Sequence, residues 1–228
     1  MSRSIDKDPL YQQLLFSLPM REGTGTVGTA DVAKPHHPVT LTHAPAWTAL
    51  TSGLYVLDFT AAHPDYLEAT NASTVDLDFT TGDYSMDLWV NPDAIALNQW
   101  LMARGAGNTS GWMLYLSGGG VITVRTAQGG TQQITTSSAC IAAGTWANIG
   151  FSRQGANIRT YSNGQDVTNS AAAHINPLTS ALALRLCYST SDTYPYDGRL
   201  WNPRIWGRAL RPDEHKQIFD RERAKFGV

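Results

Sequence analysis

The sequence predicts an all-β domain closed by one short helix, and three observations carry that prediction. Apolar and polar residues alternate in short runs along most of the 228 residues. Turn signals separate nearly all of these runs: Thr81-Gly82-Asp83, Gly105 to Gly111, Gly118-Gly119-Gly120, Gly129-Gly130 and Asn163-Gly164. A strand followed at once by a helix closes the chain, GRLWNPRIWGRALRPDEHKQIF from Gly198 to Phe219. Short strands at this spacing build a sandwich or a barrel.

In chain order, Asp8-Pro9 suits a single helical turn, and a strand at 14–18 is ended by Pro19. The connection from Glu22 to Pro38, with Gly23, Gly25, Gly28, Pro35 and the pair His36-His37, reads as an ordered crossing rather than a linker. Further strands are expected at 39–42, 54–59, 65–69, 84–90, 99–104, 111–116, 121–126, 131–135, 146–152, 157–162, 182–188 and 198–206. In the last, Leu200, Asn202, Arg204 and Trp206 alternate with Trp201, Pro203 and Ile205. The helix is expected over 212–226: Pro212 suits its first turn, Asp213 and Glu214 its positive end, and Arg221, Arg223 and Lys225 its negative end. Residues 1–13 read as an N-terminal arm and 14–228 as one domain.

Alternation also sorts side chains by face. In 84–90, Tyr84, Met86, Leu88 and Val90 form the apolar set, leaving Ser85, Asp87 and Trp89 opposite. In 146–152, Asn148 lies opposite Ala147, Ile149 and Phe151, and in 182–188 Arg185 lies opposite Leu182, Leu184 and Leu186. If these strands are neighbours, one sheet face carries Asp87, Trp89, Asn148 and Arg185. A tryptophan among polar groups on such a face stacks on a sugar ring or anchors a protein partner; otherwise it is local packing, with Asp87 paired to Arg185 or Arg204.

Composition narrows the function. With 42% hydrophobic and 16% charged residues the chain builds a sizeable core. A net charge of -2 removes the general electrostatic case for nucleic acid. No run approaches the roughly 18 apolar residues that insertion into a bilayer needs, and MSRSIDKDPL shows no signal peptide. Arginine outnumbers lysine 13 to 4, which favours fixed contacts with carboxylates or partner surfaces. Cys140 and Cys187 read as free thiols.

The blocks Leu15 to Thr26 (LFSLPMREGTGT), Asp31 with His36-His37, Asp65-Tyr66-Leu67, Asp83 to Pro92 (DYSMDLWVNP), Gly111-Trp112, Gly144-Thr145-Trp146, Tyr161-Ser162-Asn163-Gly164 and the closing strand and helix come in a recognisable order. From about Leu14 to Phe219 the chain resembles laminin G-like domains of the concanavalin A-like lectin/glucanase group. Thr60-Ala61 and Asn202-Pro203 depart from that pattern, standing where relatives carry acidic residues. The resemblance implies a two-sheet antiparallel jelly-roll sandwich with a short C-terminal helix. It also implies a ligand surface on a concave sheet face, the role expected for Asp87, Trp89, Asn148 and Arg185. No cofactor is required, but some relatives bind calcium at loops of the sandwich rim, and Asp31 and Asn202 are the matching positions here, short of the six to eight oxygens calcium takes.

Glycosidases on this fold use two glutamates flanking an aspartate on one strand. The chain has four glutamates in all, Glu22, Glu68, Glu214 and Glu222, and the comparable alternation is Val75-Asp76-Leu77-Asp78-Phe79, without one. The expectation is therefore a non-catalytic structural or binding module, built into a virus particle as a surface or decoration protein. Its partners would be protein neighbours in an assembly or further copies of itself, with glycans as alternative ligands. Such a protein is made in the cytosol and reaches the virion or the extracellular space by lysis. A free carbohydrate-binding module or lectin is the alternative reading, and a glycosidase the second.

Overall fold

The computed structural model describes residues 8–24, 31–34, 36–62, 64–189 and 194–228. The first seven residues of the expected arm lie outside them. A 3-10 turn at Pro9–Tyr11, capped by Asp8 Oδ1 accepting from Leu10 N at 3.1 Å, precedes β1 (Leu14–Ser17). The strands β2 (Thr40–Thr42), β3 (Ala46–Ala49), β4 (Tyr55–Phe59), β5 (Tyr66–Ala69), β6 (Tyr84–Pro92), β7 (Gln99–Ala106) and β8 (Ser110–Ser117) follow. They continue as β9 (Val121–Gln128), β10 (Thr131–Ala139), β11 (Ala147–Gln154), β12 (Asn157–Ser162), β13 (Gln165–Asp166), β14 (Thr168–Ser170), β15 (Leu184–Leu186) and β16 (Gly198–Trp206). The helix α1 (Pro212–Glu222) runs on as a 3-10 turn at Arg223–Lys225.

All pairings are antiparallel, and two sheets of eight strands form the jelly-roll sandwich the sequence predicts. The first sheet runs β13-β12-β11-β6-β16-β4-β3, with β1 on the far half of β16; the second runs β14-β10-β9-β8-β7-β15-β5-β2. The main core lies between them and draws on Met86, Leu88, Val90, Ile149 and Phe151 of the first sheet and Trp112, Leu114, Ile122, Val124 and Leu186 of the second. Neither thiol is bridged: Cys187 is buried and Cys140 half-buried.

Helix entry follows the sequence reading. Pro212 takes the first helical position, and Glu214 Oε2 accepts from Arg211 N at 2.8 Å while its carboxylate pairs with Arg208. The helix lies on the outer face of the first sheet, and two features let it come close. Asn163 and Gly164 (φ 50° and 74°) make the two-residue hairpin turn between β12 and β13, where a Cβ on Gly164 would stand 2.7 Å from Lys216 Cα. Ser85, Ser152 and His215 then join sheet to helix. Ser85 Oγ donates to Ser152 Oγ and accepts from Leu210 N, while Ser152 Oγ donates to Leu210 O.

Two expectations about strands are corrected. Strand β16 does not alternate throughout: its pairing with β6 shifts register between Trp201 and Arg204, and Asn202 takes φ 49°. This bulge reverses the parity, so Leu200 and Ile205 both face the main core, while Trp201, Arg204 and Trp206 meet the helix and the N-terminal turn. The run Val75-Asp76-Leu77-Asp78-Phe79 is not a strand either. Its first three residues form a 3-10 turn, held by Trp112 Nε1 donating to Leu77 O at 2.8 Å.

Candidate functional site

Three of the four residues expected on one ligand face are together, but under the helix and out of solvent. Asp87 and Trp89 on β6 and Asn148 on β11 are buried on the outer side of the first sheet. Trp89 stacks on Phe219 and Phe226, with ring centroids 5.9 and 4.1 Å away, and its Nε1 donates to Glu222 Oε2 at 2.8 Å. Asn148 Nδ2 donates to Asp87 Oδ2 at 3.0 Å, and Arg204 bridges Asp87 to Glu222. These residues fasten α1 to the sheet. Arg185 is not among them: it lies on β15 of the second sheet, paired with Glu68 at 2.6 Å.

The calcium positions are also accounted for by protein groups. Asp31 Oδ1 accepts from Ser17 N and Ala33 N, and Oδ2 from His37 N and Nδ1, all within 2.9 Å. Four donors occupy both oxygens, so this carboxylate has no lone pair facing a cation. Asn202 Oδ1 accepts from Ser17 Oγ and its Nδ2 donates to Glu222. Among the described residues no three His, Cys, Asp or Glu side chains gather as a metal site would need. Of the pair His36-His37, His36 is exposed and takes φ 65°, while His37 is buried.

His37 is a feature the sequence did not reveal. Its Nδ1 meets Asp31 Oδ2 at 2.7 Å and its Nε2 meets Asp76 Oδ1 at 3.0 Å, so it ties the loop after β1 to the turn at Val75–Leu77. Burial alone would lower its pKa, but hydrogen bonds to Asp31 and Asp76 outweigh that and raise it. Asp78 faces elsewhere and takes the Arg104 fork through both oxygens, at 3.1 and 2.8 Å. The two aspartates therefore do not form a hydrolytic pair on a shared face.

Buried neutral histidines set the acid response. His215 is stacked on Tyr161 at 3.9 Å, its Nε2–H donates to Ser152 Oγ, and its Nδ1 is buried without a partner. Burial pushes its pKa down to about 3, and burial with nearby Arg153 pushes His174 down to about 4. Below pH 6.5 the unfolded chain takes up protons that the fold refuses. We expect these two groups to remove about 3 kcal/mol of stability per pH unit as pH falls from 6 towards 4. His37 acts with the opposite sign, its stabilisation being complete below pH 6.5 and lost as pH rises through its raised value. Denaturant unfolding at pH 7, 6 and 5 checks this; an acid slope unchanged by His215→Phe would contradict it.

Two surfaces among the described residues bear on ligand binding. The first is a cleft of about 510 Å³ between the N-terminal turn, β16 and α1, with Trp201, Asn202, Arg204 and Glu222 among its lining residues. The second is the outer face of the second sheet, opposite the core and without the helix, where Trp100, Ala103, Met113, Tyr115 and Ala127 form a small buried cluster and Arg125 and Arg185 stay half-exposed. Cross-strand register sets Ile134, Arg125, Met113, Ala103, Arg185, Glu68 and Thr40 in one row across it. Arg185 lies over the rings of Tyr66 and Tyr188, 4.5 and 5.9 Å from Cζ. Arg125 lies over Trp100 and Tyr115 at 5.8 and 5.2 Å, and its Nη2 donates to Tyr115 Oη. Arg125 Nε and Trp100 Nε1 are buried without acceptors.

Known structures share this architecture. The binding domain of Paraclostridial Mosquitocidal Protein 1 superposes with a TM-score of 0.74 at 14% identity, over 93% of this chain and 53% of that one. A botulinum neurotoxin type C structure, from a toxin whose cell entry depends upon interaction with two ganglioside molecules, gives 0.70 at 13% over 93% and 52%. The binding domain of botulinum neurotoxin DC in complex with rat synaptotagmin II gives 0.72 at 12% over 92% and 52%. The chain thus spans about half the length of each, and the likeness is one of fold. No curated protein sequence matches the chain. A family model described as the concanavalin A-like lectin/glucanases superfamily, laminin G type 3, matches residues 65–214. With that match over most of its length and a jelly-roll sandwich to go with it, the chain belongs to the laminin G-like branch of the concanavalin A-like lectin/glucanase superfamily.

Proposed function

We propose that the chain is a non-catalytic binding module that takes a glycan on the outer face of its second sheet, through Arg125 and Arg185 and the aromatic rings beneath them. The observation that carries this reading is Arg125. It rests on two aromatic rings, and it and Trp100 each hold a buried N–H with no acceptor. A sugar supplies oxygens for the half-exposed guanidinium groups of Arg125 and Arg185 and an apolar ring face for half-buried Tyr66 and Tyr188, while Trp100 and Tyr115 lie buried beneath Arg125 and hold it in place. The interaction of botulinum neurotoxin type C with two ganglioside molecules, and the complex of the neurotoxin DC binding domain with rat synaptotagmin II, fit a binding role for such a scaffold. The carboxylates considered for hydrolysis are engaged with His37 and Arg104, which supports a binding rather than a hydrolytic reading.

Arg125→Ala and Arg185→Ala are expected to weaken glycan-array binding at least tenfold while leaving the unfolding midpoint within a few degrees. Unchanged binding by both variants, or polysaccharide turnover lost on Asp76→Asn or Asp78→Asn, would overturn the reading. The setting we propose is a virus-particle surface or decoration protein, present on the virion or outside the cell after release. The arginine excess of 13 to 4 supports it as a composition suited to fixed protein contacts. Co-sedimentation of the native protein with particles tests it; recovery as a free monomer would leave the lectin-like module without the particle.

A further inference from the structure

We propose that the cleft between the N-terminal turn and the C-terminal helix is a second binding site, for a small organic anion that carries a carboxylate or phosphate on a ring-shaped or apolar body. This goes beyond the sheet-face reading, because none of the cleft's lining residues lies on that face, and either proposal can fail alone. At about 510 Å³ the cleft falls in the range of small-molecule sites.

The hydrogen-bonding inventory of its floor decides the ligand's chemistry. Glu222 accepts from Trp89 Nε1, Asn202 Nδ2 and both Nη atoms of Arg204, so its oxygens are taken. Asn202 is likewise occupied on both sides, by Ser17 and Glu222. What remains is donors: the indole N–H of Trp201, a residue 4% exposed, and the Nε–H of Arg204 are both buried without acceptors. A floor whose carboxylate and amide are engaged while two buried N–H groups lack acceptors favours a ligand that brings acceptor oxygens.

The rim decides the charge and the body. Arg21, Arg221 and Lys225 line the cleft as cations, and Lys225 Nζ lies 4.5 Å from the Trp201 ring centroid. The carboxylates nearby are committed, Glu222 to Arg204 and Asp8 to Arg221 at 2.7 Å. Between these cations the cleft offers Tyr11, Val32 and Tyr55, large apolar side chains 48%, 48% and 42% exposed. Such rings and apolar surface suit the body of a sugar acid or sugar phosphate better than a bare inorganic ion.

The Trp201 indole N–H is the direct probe. Its resonance in ¹⁵N-labelled protein, assigned through Trp201→Phe, is followed while glucuronate, glucose 6-phosphate or glucose is added to millimolar concentration. We expect it to move with either anion or both, the stronger response identifying carboxylate or phosphate, and to stay still with glucose. Lys225→Gln and Arg21→Gln, both at exposed positions, should each weaken the response about three- to tenfold, the size of one lost charge contact. An indole resonance that neither anion moves, that glucose moves equally, or whose shift survives both substitutions unchanged would overturn the proposal.

Discussion

Replacing Trp206 with alanine is expected to remove about 3 to 5 kcal/mol of stability, the range for large aromatic side chains deleted from a core. Trp206 is 1% exposed and belongs to a small second core with Leu10, Leu14, Ala33, Leu210 and Ile218, where the N-terminal turn, β16 and α1 converge. Its indole Nε1 donates to Leu10 O at 2.7 Å, and its ring lies 5.8 Å from Arg204 Cζ. Truncation leaves a cavity at a junction of three elements, each held in place by its own backbone bonds and slow to close the gap. It also leaves the Leu10 carbonyl without its donor. Trp206→Phe separates the two losses, since it keeps most of the apolar volume and should cost only about 1 to 2 kcal/mol. Denaturant unfolding measures both, and a loss below about 1 kcal/mol for the alanine variant would contradict this account of the junction.

Most of the fold was legible because a strand with one buried face writes that fact into its sequence with period two. Strands β8, β9 and β12 fall where alternation and glycine turns put them, and the helix begins at Pro212 as its capping residues require. The short β3, with its residues exposed or half-buried, has no apolar stripe to betray it. The run at 75–79 alternates like a strand, but its polar residues answer to partners far away in sequence, His37 for Asp76 and Arg104 for Asp78.

Three physical reasons separate the expected face from the one observed. Alternation tells one face of a strand from the other, but not which sheet the strand joins. Arg185 was therefore grouped with Asp87 although β15 and β6 lie in opposite sheets. Nor does it show what lies over the second face. Asp87, Trp89 and Asn148 read either as a ligand face or as local packing with Asp87 paired to Arg185 or Arg204; they are packed, with Arg204 as the partner and the terminal helix supplying Phe219, Glu222 and the following Phe226 as the cover. The bulge at Asn202-Pro203 is a third loss, because one residue in a left-handed conformation reverses every face assignment beyond it. Arg125 stood in a strand that the sequence placed well. The role proposed for it rests on Trp100 and Tyr115 on two neighbouring strands, a relation fixed only by register.

Replacing Arg204 with methionine is expected to cost about 3 to 5 kcal/mol at pH 7, because it removes the cation shared by two largely buried carboxylates, leaving Asp87 uncompensated and Glu222 with only the pull of Lys225. Arg204 reaches Asp87 through Nη2 and Glu222 through Nη1 and Nη2, so the same change also loosens α1 from the sheet. Burial pushes the Asp87 carboxyl up to about 6 even though Arg204 pulls against it, and Glu222 adds to the rise. Burial would raise Glu222 as well, but Arg204 and Trp89 hold it below the ordinary glutamate value. Without Arg204 both carboxyls should rise and take up protons readily in the folded state. A folded acid with a raised pKa binds protons that the unfolded chain does not hold until near its ordinary value of 3.8, so folding gains stability as pH falls through that window. The penalty of Arg204→Met should therefore be largest at pH 7 and shrink by pH 5, on the side of neutrality where the wild-type protein is losing stability through His215 and His174. Unfolding free energies of both proteins at pH 7, 6 and 5 provide the comparison. A gap between them that stays constant over that range would mean that Arg204 is held by packing alone and that its charge does not carry the clamp.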